Sequence, residues 1–113
     1  MSKLLTQHLP LIKFIASAKP KQVIALLKIL NPEQIKVLSE ISENTIKGRV
    51  DLSDADKAQL RKYRVFLTQL ASKRKSLSSK KNLLVRGVRA LTLLLDIVLP
   101  VVERLTSVGL SRS

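Results

Sequence analysis

The stretch ALTLLLDIVLPVV, residues 90–102, is the longest apolar run in this 113-residue chain. Its leucines and valines recur at three- and four-residue spacing, which predicts a helix with a broad apolar face. The run contains Asp96 and falls well short of the roughly 20 residues that a spanning helix needs, so we expect a soluble or peripheral protein. Two interpretations stay open: a central, mostly buried helix, or an oligomer or anionic-membrane contact between Ala90 and Leu110.

The same helical spacing extends on both sides of this run, interrupted by helix-start and helix-end signals. A first helix is predicted over about residues 3–18, with Pro10 as a kink or a start, and a second begins at Pro20. Asn31 is the expected cap of a third helix, which Gly48 ends. A fourth opens at residues 53–56, and the Ser-rich segment 76–79 breaks it from a last helix over about 80–105, with weak points at Gly87 and Pro100.

Composition agrees with an all-α fold. The chain is 45% hydrophobic, too apolar for a disordered basic tail, and it has three glycines, three aromatics and no cysteine. We therefore predict one all-α domain, a compact bundle of about five helices with basic fourth and fifth helices. Within it, residues 1–52 form a near-neutral helical packing unit, residues 53–89 a basic helical region, and residues 90–113 an apolar C-terminal helix with a frayed tail.

Charge is distributed very unevenly along the chain. The 33 residues from Lys57 to Arg89 carry eleven of the 21 Lys and Arg residues and no Asp or Glu. Residues 1–56 carry eight basic and six acidic side chains, which is close to balance. A solvated helix face is the ordinary explanation of a Lys-rich run, but such a face usually interleaves Glu as a pairing partner. The acid-free tract instead favours binding to a polyanion.

Nothing in the sequence indicates catalysis. His8 is the sole histidine and lies on an apolar helix face near the N-terminus, where a partly buried or surface role is more common than general-base chemistry. There is no Gly-rich phosphate loop, no Gly-x-Ser-x-Gly motif and no His/Cys cluster. We therefore predict a protein that is not an enzyme and that needs neither a cofactor nor a metal ion.

The basic tract favours a sequence-nonspecific nucleic-acid binder, with double-stranded DNA as the expected partner. Its Lys and Arg residues are mixed over two helices rather than presented on one recognition helix, and Tyr63 and Phe66 are its only aromatics, so base reading and base stacking are disfavoured. The expected binding residues are the eleven cations Lys57, Arg61, Lys62, Arg64, Lys73, Arg74, Lys75, Lys80, Lys81, Arg86 and Arg89. A protein–protein or membrane-surface adaptor, acting through the apolar C-terminal helix, is the alternative.

The order of short motifs along the chain resembles a known family. The motifs are QHLPLI (residues 7–12), AKPK (18–21), IKVLSEI (35–41), NTIKGRV (44–50), LRKYR (60–64), LASKRKSL (70–77) and KKNLLV (80–85), followed by an apolar tail. In this order they resemble the small basic proteins of Polinton/Maverick elements and adintoviruses. In that family the tail carries a Gly-Gly-Phe-Leu-Pro stretch similar to the tail of the small adenovirus core-protein precursor. Here RGVR (86–89) stands in its place.

The resemblance covers nearly the whole chain and implies a virion-associated protein that condenses DNA. It also implies a location in the virion and the host nucleus; without it, the expectation is an intracellular protein. Because the tail departs from the family pattern, the resemblance implies no membrane or processing role for that tail. DNA versus RNA, oligomeric state and the stage of action stay open at the level of sequence.

Overall fold

The computed structural model describes the backbone of residues 3–111 and the side chains of residues 5–104, and within these residues it is all-helical with no strand. The helices are α1 (Lys3–Gln7), α2 (Leu9–Ser17), α3 (Pro20–Leu27), α4 (Pro32–Ile46), α5 (Asp54–Arg61), α6 (Arg64–Ala71), α7 (Leu77–Arg86) and α8 (Val88–Ser111). The Cα radius of gyration is 13.4 Å, which is close to the roughly 13 Å expected for a compact domain of this length.

Residues 3–111 form eight helices rather than about five, because three predicted helices are each divided in two. The first divides at His8, where Pro10 occupies the start of α2 and supplies no backbone N–H. The fourth divides at Lys62–Tyr63 without any Pro or Gly, since α5 packs against α8 whereas α6 packs against α4. The last divides at Gly87, one of its predicted weak points.

Gly87 is required by a close contact with an aromatic ring. A Cβ atom added at Gly87 would overlap Cε2 and Cδ2 of the Phe66 side chain. Phe66 belongs to the buried core, so its ring has little space to move away. Glycine at this position lets α6 approach the junction between α7 and α8.

Three helices begin at side-chain caps. The Asn31 side chain accepts a hydrogen bond from the Gln34 backbone N–H (2.8 Å), and the Gln34 side chain accepts one from the Asn31 N–H (2.9 Å). Ser53 Oγ accepts from the Asp56 N–H at 3.1 Å. Ser76 Oγ accepts from the Ser79 N–H at 3.1 Å. Helix α7 therefore begins at Leu77, inside the Ser-rich segment, whereas the sequence predicted a helix start at about Lys80.

The core forms between the two halves of the chain. The most extensive packing is of α2 against α8 and of α4 against α6, with α3 and α4 also touching α7. The apolar faces of α2, α3 and α4 are therefore covered largely by helices from residues 64–111.

The apolar run 90–102 lies at the centre of the bundle. Leu91, Leu94, Leu95 and Val98 are fully buried and Val102 nearly so. Their burial favours the core interpretation of this segment over the contact interpretation for residues 90–104. The side chains of residues 105–110, the rest of the predicted contact segment, lie outside those the structure describes.

Helix α8 continues through Pro100 and ends at Ser111, beyond the predicted end near residue 105. Pro100 cannot donate to the carbonyl of Asp96, four residues earlier. Both residues are exposed, so water can satisfy that carbonyl. Of the predicted frayed ends, residues 1–2 and 112–113 lie outside the described residues, whereas the backbone of residues 107–111 is helical.

Candidate nucleic-acid interface

The structure places ten of the eleven predicted binding residues where solvent reaches them. Lys75 and Lys81 are partly exposed, and the eight that are exposed are Lys57, Arg61, Lys62, Arg64, Lys73, Arg74, Arg86 and Arg89. Three ion pairs occur among the described side chains, namely His8–Glu33, Lys13–Glu103 and Lys47–Glu43. None of them includes a residue of the tract 57–89, so its surface cations carry no carboxylate partner within 4.0 Å.

The exposed cations of the tract lie in separate places rather than in one row. Lys57, Arg61 and Arg64 line a groove of about 380 Å³ between the end of α4, the loop after it, and helices α5 and α6. We call this the α5–α6 groove. Although the helix breaks between Arg61 and Arg64, the three side chains still line the same groove.

A second group of cations lies between α3 and α7. Lys81 and Arg86 line a groove of about 560 Å³ together with Asn82, Val85 and Lys28. We call this the α3–α7 groove. Lys28, the C-cap of α3, was not among the predicted binding residues, because it lies in the near-neutral part of the sequence. No local signal marks it, since only the packing of α3 against α7 brings it to this site.

The turn between α6 and α7 carries Lys73, Arg74 and Lys75. Lys73 lines a third, smaller groove with Glu43 and Lys47. A hydrogen bond from Lys47 lowers the pKa of Glu43, and its charge together with those of Lys73 and Arg49 lowers it further. Lys73 therefore lies in the field of a carboxylate, which partly offsets its charge, whereas Arg74 is exposed on the same turn.

Lys80 differs from the other ten predicted residues because it is buried, with a relative exposure of 6%. Its Nζ donates a hydrogen bond to Ser39 Oγ at 2.7 Å, and Ser39 Oγ donates to the backbone carbonyl of Leu70 at 2.7 Å. We call this chain the Lys80–Ser39–Leu70 relay. The structure therefore does not place Lys80 on the surface with the other ten predicted residues.

The relay has a structural explanation. Leu70 lies in the last turn of α6, where backbone carbonyls lack a helical partner and the helix dipole is negative. Ser39 supplies the missing donor, and Lys80 brings a positive charge to that end of the helix. Burial lowers the pKa of Lys80, and the charge of Glu43 raises it by a smaller amount.

The aromatic residues of the tract do not form a stacking platform. Phe66 is buried against Gly87, and Tyr63 is partly buried at the junction of α5 and α6.

The described part of the chain contains no helix long and apolar enough to cross a membrane. Comparisons with protein-family models, curated proteins and solved structures gave no match.

Proposed function

We propose that the protein is a non-enzymatic binder of double-stranded DNA that neutralises phosphates without reading sequence, and that it condenses DNA as a core protein of a Polinton- or adintovirus-like virion. The observation that carries the binding proposal is the acid-free tract, whose ten surface cations have no carboxylate within 4.0 Å among the described side chains. Uncompensated cations repel one another, and a polyanion relieves that repulsion. The virion role rests on the family resemblance of the motifs.

The distribution of the cations supports sequence-independent contact. The α5–α6 groove, the α6–α7 turn and the α3–α7 groove each present two or three cations of the tract, which are thereby distributed over α5, α6, the turn and α7. Base reading needs a few side chains on one element inserted in the major groove, whereas phosphate contacts need only distributed charge. Condensation requires a protein to touch more than one stretch of duplex, and we infer that cations on several elements make such contacts.

Salt dependence is the direct test of this proposal. If about five to eight cations meet phosphates, the logarithm of the association constant should fall with the logarithm of salt concentration at a slope of roughly −4 to −7. Fluorescence anisotropy with two labelled duplexes of unrelated sequence measures this slope and the sequence preference together. A slope near zero, or strong preference for one duplex, contradicts the proposal.

A pair of charge-matched variants locates the site. One replaces Arg74, Lys81 and Arg86 with Gln, and the other replaces the exposed Lys19, Lys21 and Lys36, so both lower the net charge of +13 by three. The first should weaken binding by about tenfold or more and make the salt slope shallower by about 2 to 3, whereas the second should change affinity much less. Equal weakening would show that net charge, not the tract, governs binding.

A further inference from the structure

The α5–α6 groove has an apolar floor that phosphate binding does not explain. Val50, Leu60 and Leu67 are buried beneath it, Leu52 is partly buried, and the Ile46 side chain is 47% exposed at its edge. A duplex backbone offers phosphates and sugars, so it would leave this apolar surface uncovered. The exposed part of this apolar lining is formed by Ile46 and Leu52, and an apolar centre bordered by polar or charged groups is the usual anatomy of a protein interface.

The charged residues that line the groove are all cationic. Lys57, Arg61 and Arg64 follow one another at four- and three-residue spacing, and no Asp or Glu is among the residues that line the groove. A partner that covers both the floor and the rim must therefore present an apolar face bordered by negative charges. Charge complementarity of this kind fixes the partner and its orientation more than it adds affinity.

We propose that the α5–α6 groove binds an acidic amphipathic helix of a partner protein. Large apolar side chains at i, i+3 or i+4, and i+7 would lie on Ile46 and Leu52, and flanking Glu or Asp side chains would pair with the rim cations. A helix fits better than a lipid chain because the groove is an open trough of about 380 Å³, whereas lipid-sized ligands are usually enclosed on most sides.

This inference goes beyond the proposed DNA binding but shares three cations with it, so its test contains no DNA. The probe is a fluorescein-labelled synthetic helix of fifteen residues, with Leu along one face and Glu beside it. We call this the ordered peptide. A scrambled peptide of identical composition keeps the same net charge but no longer places its Leu side chains on one face of the helix. The full chain should bind the ordered peptide about tenfold or more tightly than the scrambled one in anisotropy titrations. Equal binding of the two peptides overturns the proposal.

Variants assign the binding to the groove. Ile46→Ser should weaken ordered-peptide binding severalfold and leave the fold intact, because Ile46 is half exposed. The double change Arg61→Gln and Arg64→Gln should weaken it by about tenfold. The control is Lys81→Gln with Arg86→Gln, which removes the same charge from the α3–α7 groove and should leave peptide binding unchanged. An equal loss in the control overturns the proposal.

Two further measurements test other occupants of the groove. Sedimentation of the wild type and Ile46→Ser should show the same mass; self-association that Ile46→Ser abolishes would mean that a second copy of this chain covers the groove. Flotation with phosphatidylglycerol vesicles should not depend on Ile46. Vesicle binding that Ile46→Ser abolishes would identify a lipid surface as the occupant. Either result overturns the assignment to a partner helix.

Discussion

Replacing Ser39 with Ala should be among the most destabilising single-atom deletions in this protein. The change removes one buried hydroxyl that accepts from Lys80 and donates to the Leu70 carbonyl, each at 2.7 Å. The unsatisfied carbonyl costs about 1–3 kcal/mol, and the lost charge-assisted hydrogen bond costs about 1.5–3 kcal/mol. We expect the free energy of unfolding to fall by about 3–5 kcal/mol, a large part of the roughly 5–15 kcal/mol typical of a domain.

Ser42 provides a matched control one turn away on the same helix. It is also buried on α4, and its Oγ also donates to a carbonyl of α6, that of Leu67, at 2.7 Å. It differs in having no cationic neighbour. Ser42→Ala should therefore cost only the unsatisfied carbonyl, about 1–3 kcal/mol of the free energy of unfolding, and less than Ser39→Ala. Urea unfolding followed by far-UV circular dichroism at pH 7 measures both variants.

The stability loss of Ser39→Ala exceeds that of Ser42→Ala because of the charge of Lys80, so removing that charge should bring the two losses closer. Lys80→Met keeps the length of the side chain and should leave stability within about 1 kcal/mol of wild type, because an apolar residue of similar volume replaces a buried cation at little cost. In the Lys80→Met background, Ser39→Ala should cost about 1–3 kcal/mol less than in the wild type. Equal losses for Ser39→Ala and Ser42→Ala, together with a Ser39→Ala loss that is unchanged in the Lys80→Met background, would refute the relay as a stabilising element.

Three other outcomes follow from the same packing. Gly87→Ala should destabilise by about 1–3 kcal/mol because its Cβ meets the Phe66 ring, and less in a Phe66→Leu background, as thermal melts can show. Leu94→Ala should cost about 2–5 kcal/mol and Val102→Asp should unfold the chain comparably, since both side chains are buried; a folded Val102→Asp protein would contradict this. Burial lowers the pKa of Lys80 in the folded state below its ordinary 10.5. Between the folded-state pKa and the unfolded-state pKa, the unfolded protein therefore binds more protons than the folded one. Stability of the wild type relative to Lys80→Met should therefore rise with pH through that window, as urea titrations at pH 7 to 10.5 would measure; a constant difference would contradict it.

Much of the helical framework follows from local sequence. Asn31 and Ser53 cap helices where their position predicted, because a short polar side chain satisfies the free N–H groups of the first turn wherever it precedes a helix. Gly87 interrupts the last helical segment as expected. The break between Arg61 and Arg64 could not be predicted in the same way, because no Gly or Pro marks it and it arises where α5 and α6 pack against different helices.

The candidate site likewise has features that the sequence predicts and features that only the packing of the helices decides. The charge asymmetry of residues 57–89 is a property of composition and needs no structure to be seen. The accessibility of each cation depends on contacts between residues far apart in the chain. Lys80 is separated from Ser39 by 41 positions, and Lys28 reaches Lys81 only through helix packing. No local pattern distinguishes the buried Lys80 from its partly exposed neighbour Lys81, and none adds a lysine of the near-neutral half to the basic surface.

The sequence by itself determined the all-helical class, the apolar helix at residues 90–102 and the location of positive charge along the chain. These depend on side-chain periodicity, caps and composition, which act over a few residues. Only the tertiary structure decided that this helix is core, that Lys80 supports the end of α6, and that the remaining cations divide between separate grooves. These depend on which distant helices bury one another's apolar faces, because burial and its desolvation cost belong to the packed chain and not to any segment of it.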